Sequence, residues 1–348
     1  MEAKINKPWQ LVLSLLLVAN CMQHYCVHGN SKKAHCMYIF GDSLSANGNN
    51  NNLQTSAKSN YNPYGIDYEE GPSGRFCNGE TEADIIARRV GISRRIRPYL
   101  NSSASDRAEA ANHASAAAGI LPETGTHRGE NINFQRQIRN QRDIYNEIAN
   151  RLRSYKKAEH YLGRCLYYIR IGTNDYLGNY FLSQFYNTSS QYTLDQYADL
   201  LINQLSGYLQ DLHGIGAKKF AVYGIGDMGC IPYARARFGQ NGGCYEQFNI
   251  AASIFNKKLE ALLSRLNNML RDSKFNYVDA TAGANIIPPG FTVVNASCCL
   301  TVSNATCVPN STPCPNRNEY RYWDGIHFTQ AAYRDAAERS YPPINDLL

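Results

Sequence analysis

The sequence predicts an α/β fold in which a mostly parallel sheet is covered by helices on both faces. Three observations carry this reading. Short apolar runs of strand length alternate with longer stretches that repeat apolar residues at helical spacing, in the order β, α, β, α, β. Apolar runs end at glycine, as Cys165–Ile171 does at Gly172 and Lys219–Tyr223 does at Gly224. No internal repeat, low-complexity linker or composition break divides the chain, so one domain is expected over residues 30–348.

The elements follow in order. Cys36–Phe40 reads as a buried strand. Thr81–Val90 reads as a helix with Thr81 as its N-cap, because a threonine hydroxyl can accept from the first free amides. Asn112–Ser115 is a short strand candidate. Phe134, Ile138, Tyr145, Ile148, Leu152 and Tyr155 share one helical face, which predicts a helix over Asn133–Lys157. Cys165–Ile171 and Lys219–Tyr223 are strands, and the helix Leu194–Leu212 lies between them. Phe248–Leu270 is a long helix with Phe255, Leu259, Leu262 and Leu266 on one side. Phe275–Val278 is the last strand and Thr329–Arg339 the last helix. In such sheets ligands bind at the carboxyl ends of the strands. There the chain places Ser43, the Ser115–Gly119 turn and Gly172–Asp175.

Composition bounds the partners. With 348 residues, 43% hydrophobic and 18% charged, the chain can bury a substantial core. A net charge of +6 suits an acidic partner and is too small to argue for nucleic acid. Arg88, Arg89, Arg94, Arg95 and Arg97 crowd one stretch. The plain reading is a solvated helix end and loop; the sharper one is an anchor for an acidic cell-wall polysaccharide. Lys4 and Lys7 precede the apolar run Leu11–Ala19, which is shorter than the roughly 20 residues of a membrane helix. We expect residues 1–29 to be a secretory signal, cleaved between 19 and 29, and no later stretch to cross a bilayer.

Two further features agree with export to the extracellular space. Glycosylation sequons stand at Asn101, Asn187, Asn295, Asn304 and Asn310. Of 11 cysteines, Cys298, Cys299, Cys307 and Cys314 crowd a loop-like stretch that also holds Pro309, Pro313 and Pro315. In an oxidising compartment this reads as disulfide staples; a zinc site is the rival, weakened by the lack of a Cys-x-x-Cys pair and of a nearby histidine. Cys230 and Cys244 flank a glycine-rich turn and could close a second loop. Nine cysteines follow position 29, so at least one is free or pairs elsewhere.

The chemistry concentrates at the strand ends. Ser43 follows the first strand, but a hydroxyl is a weak nucleophile without a base. His327 supplies a base, with Asp324 three residues before it on a turn where the carboxylate can reach the imidazole. Gly172-Thr173-Asn174-Asp175 follows another strand. The Asn174 amide, the Ser43 backbone NH and a donor from the turn ending at Gly119 could hold an oxyanion. Each motif has a plain reading as a turn or cap.

In this order, Gly41-Asp42-Ser43, Asn112-x-Ala114-Ser115, Gly172-x-Asn174-Asp175 and Asp324-x-x-His327 resemble the GDSL esterase/lipase family of SGNH hydrolases. The stretches YGIDYEEGPSGRFCNGET, NHASAAAGILPETG, IGTNDYLGNY, GIGDMGCIP and YWDGIHFTQAA are similar to the plant branch. The resemblance implies a three-layer α/β/α, flavodoxin-like fold and a secreted esterase with no metal and no cofactor, acting on a small or polymer-linked ester. It assigns the nucleophile to Ser43, the acid to Asp324, the histidine to His327 and an oxyanion donor to Asn174. An acyltransferase using the same acyl-enzyme, and a wall- or lipid-binding member with little activity, are the alternative readings. The chain departs from the pattern at Ala46, Ala116, Ala117 and Glu80 and around Cys298–Cys307. Alanine at 116 and 117 must adopt a turn that family members build with glycine.

Overall fold

A computed structural model describes residues 33–281, 287–303 and 305–348. The expected signal segment and the Asn304 sequon lie outside these residues. Five parallel strands form the central sheet: β1 (Met37–Gly41), β2 (Ala110–Asn112), β3 (Leu166–Arg170), β4 (Lys219–Tyr223) and β5 (Lys274–Val278). Their spatial order is β2-β1-β3-β4-β5, the flavodoxin-like order. Chain order reverses between β1 and β3, so the crevice beyond their carboxyl ends is where such sheets take a ligand.

Strand side chains alternate between two helical layers. Tyr38, Phe40, Tyr167, Ile169, Phe220 and Val222 face one core. Over it pack the helices Phe134–Leu152, Leu194–Gly214 and Glu246–Met269. Met37, Ile39, Leu166, Tyr168, Ala221 and Tyr223 face the other, under α1 (Glu82–Arg89) and the last helix, Gln330–Asn345. This is the three-layer arrangement expected from the sequence.

The differences are local. The second strand is Ala110–Asn112 rather than Asn112–Ser115, yet His113 N still donates to Ile39 O at 2.7 Å and Ser115 N to Gly41 O at 3.1 Å. The expected strand thus continues along β1 without regular ladder geometry. The helix expected over Asn133–Lys157 breaks at Arg153, whose φ is +50°, and Ser154 caps a second helix, Tyr155–Leu162. The apolar period continues through the break, which hid it. The last helix runs past Arg339 to Asn345 and contains Pro342 and Pro343 in its final turns. Thr81 caps α1 as expected: its hydroxyl accepts from Asp84 N, and the Asp84 carboxylate reaches back to the cap amide.

The disulfides pair Cys298 with Cys314, Cys299 with Cys307 and Cys230 with Cys244. The crowded cysteines are thereby consumed, which removes the zinc reading of that stretch. A fourth bond, Cys36–Cys165, joins the starts of β1 and β3 and was not foreseen. Cys77 is the buried thiol left over.

A buried ion pair ties the α1 layer to the sheet's carboxyl edge. Arg170, the last residue of β3, pairs with Glu82 of α1, which also accepts from Tyr223 OH (3.0 Å) and Ser340 Oγ. Gly41 is needed beside it: a Cβ there would meet the Arg170 carbonyl oxygen at 2.3 Å. Replacing Glu82 by Ala leaves a buried guanidinium without its carboxylate. We expect a loss of about 3–5 kcal/mol, read as a lower urea midpoint; an unchanged midpoint would refute a stabilising role for the pair.

Candidate active site

Ser43 sits in the turn that β1 makes on leaving the sheet, two residues past Gly41. Ser45 N and Ala46 N both donate to Asp42 O, and Leu44 N donates to Asp42 Oδ1 at 2.9 Å, so the turn is closed tightly. Burial pushes the Asp42 carboxyl up to about 6. Gln137 reaches down from the helix Phe134–Leu152 and brackets Gly41: its Oε1 accepts from Gly41 N (2.9 Å) and its Nε2 donates to Gly41 O (2.8 Å). The backbone that carries Ser43 is therefore fixed from three sides.

Residues separated by most of the chain then meet. His327 Nε2 lies 2.8 Å from Ser43 Oγ. His327 Nδ1 lies 2.8 Å from Asp324 Oδ2 and 2.9 Å from Oδ1. Asp324 is fully buried and His327 nearly so, while Ser43 keeps partial exposure. The turn between them is held by the same carboxylate, whose Oδ1 also accepts from Ile326 N (2.8 Å) and His327 N (2.7 Å). Three-residue spacing thus lets the carboxylate reach the imidazole while it caps its own turn.

Tyr64 completes the surroundings of Asp324. Its hydroxyl donates to Asp324 Oδ2 at 2.6 Å and accepts from Cys307 N at 3.1 Å. Burial and the Asp324 charge hold the Tyr64 proton on, well above the usual phenol range, so it acts as a donor. Sequence reasoning gave Tyr64 no role, although it opens the stretch YGIDYEEGPSGRFCNGET. The Cys299–Cys307 disulfide anchors the segment that meets it.

The turn after β2 supplies amides. Ala117 takes φ +65°, a left-handed conformation that glycine adopts freely and alanine adopts with strain. The amides of Ser43 and Ala117 have no protein acceptor among the described residues, and both residues line the same cavity. Asn174 lines it too. Its Nδ2 spends one hydrogen on Ala118 O at 3.0 Å and keeps the other. Gly119 does not line this cavity; its Cα packs against Thr124 and Asp175, where a Cβ would come within 2.6 Å.

Two polar groups hold that turn. Asn50 Oδ1 accepts from Ala116 N (2.8 Å) and Ser115 Oγ (2.9 Å), and its Nδ2 donates to Ala116 O (3.2 Å). Asn49 Nδ2 donates to the carbonyls of Asn112 and Ala114, and Asn47 Nδ2 to Ile96 O. The asparagine run is a set of side-chain clamps on neighbouring backbones. Asp175, buried on the far side, accepts from Ile120 N, Leu121 N and Thr124 Oγ1. Burial pushes its carboxyl up to about 7.

The cavity at Ser43 has a volume of about 310 Å³. Leu177, Leu182, Phe185, Tyr233 and Ile326 give it apolar walls. A larger polar cavity of about 670 Å³ lies behind the asparagine run and does not include Ser43. Arg94 and Arg95 border it, but Arg94 pairs with Glu109 and Arg95 with Glu69 and Glu70. Arg88 pairs with Glu80 and Arg89 with Glu338. The arginine cluster is thus largely neutralised by its own neighbours and offers little free charge to a polysaccharide. Asn101, Asn187, Asn295 and Asn310 are all exposed.

Comparison with known proteins identifies the family. The family model described as GDSL-like lipase/acylhydrolase matches residues 37–340. One GDSL esterase/lipase of Arabidopsis thaliana is 43% identical over 98% of this chain and 95% of its own length. A second from the same plant is 44% identical over 88% of this chain and 86% of its own. A third is 41% identical over 95% and 93%. The match spans the whole sheet and both ends of the Ser43···His327 contact, and on it the chain belongs to the GDSL-like lipase/acylhydrolase family.

Proposed function

We propose that this protein is a secreted carboxylic ester hydrolase that works through an acyl-serine intermediate. The observation that carries the reading is the hydrogen-bonded line Ser43 Oγ, His327 Nε2 and Nδ1, Asp324. Ser43 Oγ attacks the ester carbonyl while His327 Nε2 takes its proton. Asp324 keeps the other ring nitrogen protonated and stabilises the imidazolium. The amides of Ser43 and Ala117 and the free N–H of Asn174 hold the oxyanion, and Gly119 serves to shape the turn. Each such donor is worth about 3–4 kcal/mol in the transition state. The imidazolium returns its proton to the departing alcohol. Water then enters, His327 takes one of its protons, and the acid leaves with Ser43 Oγ reprotonated.

Export is supported by four disulfides, which persist in oxidising compartments, and by sequons at exposed asparagines. No helix among the described residues is long and apolar enough to cross a membrane. On this reading residues 1–29 are removed on export, residues 30–348 act as one domain, and glycans occupy the sequons.

Tyr64 is a positioning residue in this scheme. Its hydrogen bond draws Asp324 charge toward Oδ2 and fixes the carboxylate plane that the imidazole meets. The Cys299–Cys307 loop in turn fixes Tyr64 through the Cys307 amide.

Ser43→Ala lowers kcat on a p-nitrophenyl ester by at least about a thousandfold and shifts the unfolding free energy by no more than about 0.5 kcal/mol. Retained turnover in a folded variant would overturn the assignment. Tyr64→Phe lowers kcat/KM on the order of tenfold, since a hydrogen bond to a charged group is worth about 1.5–3 kcal/mol. The loss falls on kcat rather than KM, because Tyr64 does not line the cavity and reaches the reacting atoms only through Asp324 and His327. An unchanged kcat, or a loss confined to KM, would mean that Tyr64 only packs.

A further inference from the structure

The geometry points to a substrate that carries a carboxylate: Arg128 and Arg237 border the Ser43 cavity as a receptor for an anionic group on the ester. The inference rests on the ester-hydrolase reading and narrows it to a substrate class. None of the residues that line the cavity is acidic, whereas two are arginines. Neither Arg128 nor Arg237 forms an ion pair among the described residues. Elsewhere the surface arginines 88, 89, 94, 95, 107, 317 and 339 each meet a carboxylate within the protein. The cavity has kept its two cations available.

Both are mounted on fixed backbone. Arg128 ends the turn Thr126–Arg128, and its carbonyl accepts from Ser56 N at 2.8 Å, from Thr55 Oγ1 and from Ser56 Oγ. Arg237 ends the short helix Pro232–Arg237, whose Tyr233 N donates to Gly325 O at 2.8 Å, beside Asp324. The guanidinium of Arg237 stands 5.5 Å from the Tyr233 ring centroid. The side chains themselves are exposed and ready to move onto a ligand.

The rest of the cavity adds no compensating charge. His127 is half-buried, lies against the Phe185 ring (5.0 Å between centroids) and places Nδ1 3.0 Å from Tyr186 OH. Burial and the neighbouring Arg128 push its pKa down to about 4, so it is neutral in the ordinary working range. Leu177, Leu182 and Ile326 provide an apolar path for a chain or ring between ester and anion. Guanidinium–carboxylate hydrogen bonds are among the stronger polar contacts, and at a solvent-exposed rim they weaken with salt.

The test uses two ester pairs matched in shape and different in charge, assayed on the full secreted protein. p-Nitrophenyl adipate against p-nitrophenyl heptanoate places the carboxylate on the acyl side. p-Acetoxybenzoate against p-tolyl acetate places it on the alcohol side. In at least one pair we expect kcat/KM to favour the anion by about tenfold at low ionic strength, with the preference shrinking as salt rises. The double change Arg128→Gln with Arg237→Gln brings that ratio toward one. Arg128→Lys with Arg237→Lys keeps part of it, because charge remains without the planar fork. No preference for either anionic ester, or a preference that the Gln variant retains, overturns the inference and leaves the hydrolase reading intact. Turnover of none of the four esters overturns that reading, and this inference with it.

Discussion

A single buried carboxylate organises the candidate site of this protein. Asp324 has no exposed surface, and a charge there is tolerable only if its oxygens are satisfied. Four donors meet it: the ring and the backbone amide of His327, the amide of Ile326 and the hydroxyl of Tyr64. The first three come from its own turn, so Asp324 and His327 form one rigid unit. The fourth brings in the strap that crosses from β1 to α1. Through Tyr64 the carboxylate is also coupled to Cys307, and so to a disulfide loop. The apolar residues around it, Ala57, Phe76, Ala116 and Trp323, pack with Tyr64 and the cysteines as a separate small core above the sheet. Water is thereby kept from the Asp324–His327 contact, where a lower dielectric strengthens it.

The second constraint is the sheet's edge. Ser43 is held where β1 and β3 diverge, by Gly41 against the Arg170 carbonyl and by the Gln137 amide. Below it the Glu82–Arg170 pair locks the end of β3 to the helices of one layer. Above it Asn50 and Asp175 grip the Ala116–Ile120 turn from its two sides. The polar residues here serve backbone groups that leave regular structure and would otherwise go unpaired. That is why a stretch rich in asparagine follows a buried strand. Each amide side chain can donate and accept at once, and thus can replace a missing strand neighbour. Ala117 shows the cost of the local shape, since it holds a left-handed φ without being glycine.

Much of this was legible in the residues. The alternation of apolar runs and helical repeats determined the order of strands and helices, because side-chain period follows directly from backbone geometry. Ser43, Asn174, Asp324 and His327 were legible as turn residues at predicted element ends, and the resemblance of their order to the GDSL family singled them out. The Asp324–His327 contact needed only local spacing. The crowded cysteines after position 297 could be read as staples for the same reason: their partners lie close in sequence.

What only the tertiary structure decided involves partners far apart in the chain. Tyr64 finds Asp324 across 260 residues, and no periodicity announces such a pair. Cys36 meets Cys165 because β1 and β3 are neighbours in the sheet, an adjacency that strand order alone creates. The break at Arg153 was invisible because apolar spacing persisted through it. The arginines 88, 89, 94 and 95 looked like a basic patch until folding brought acidic neighbours beside them, while Arg128 and Arg237, unremarked in the sequence, came to border the cavity without an ion pair among the described residues. Sequence determined which residues could do chemistry; the long-range contacts decided which of them are oriented, neutralised or left open, since those depend on distances that only the packed chain sets.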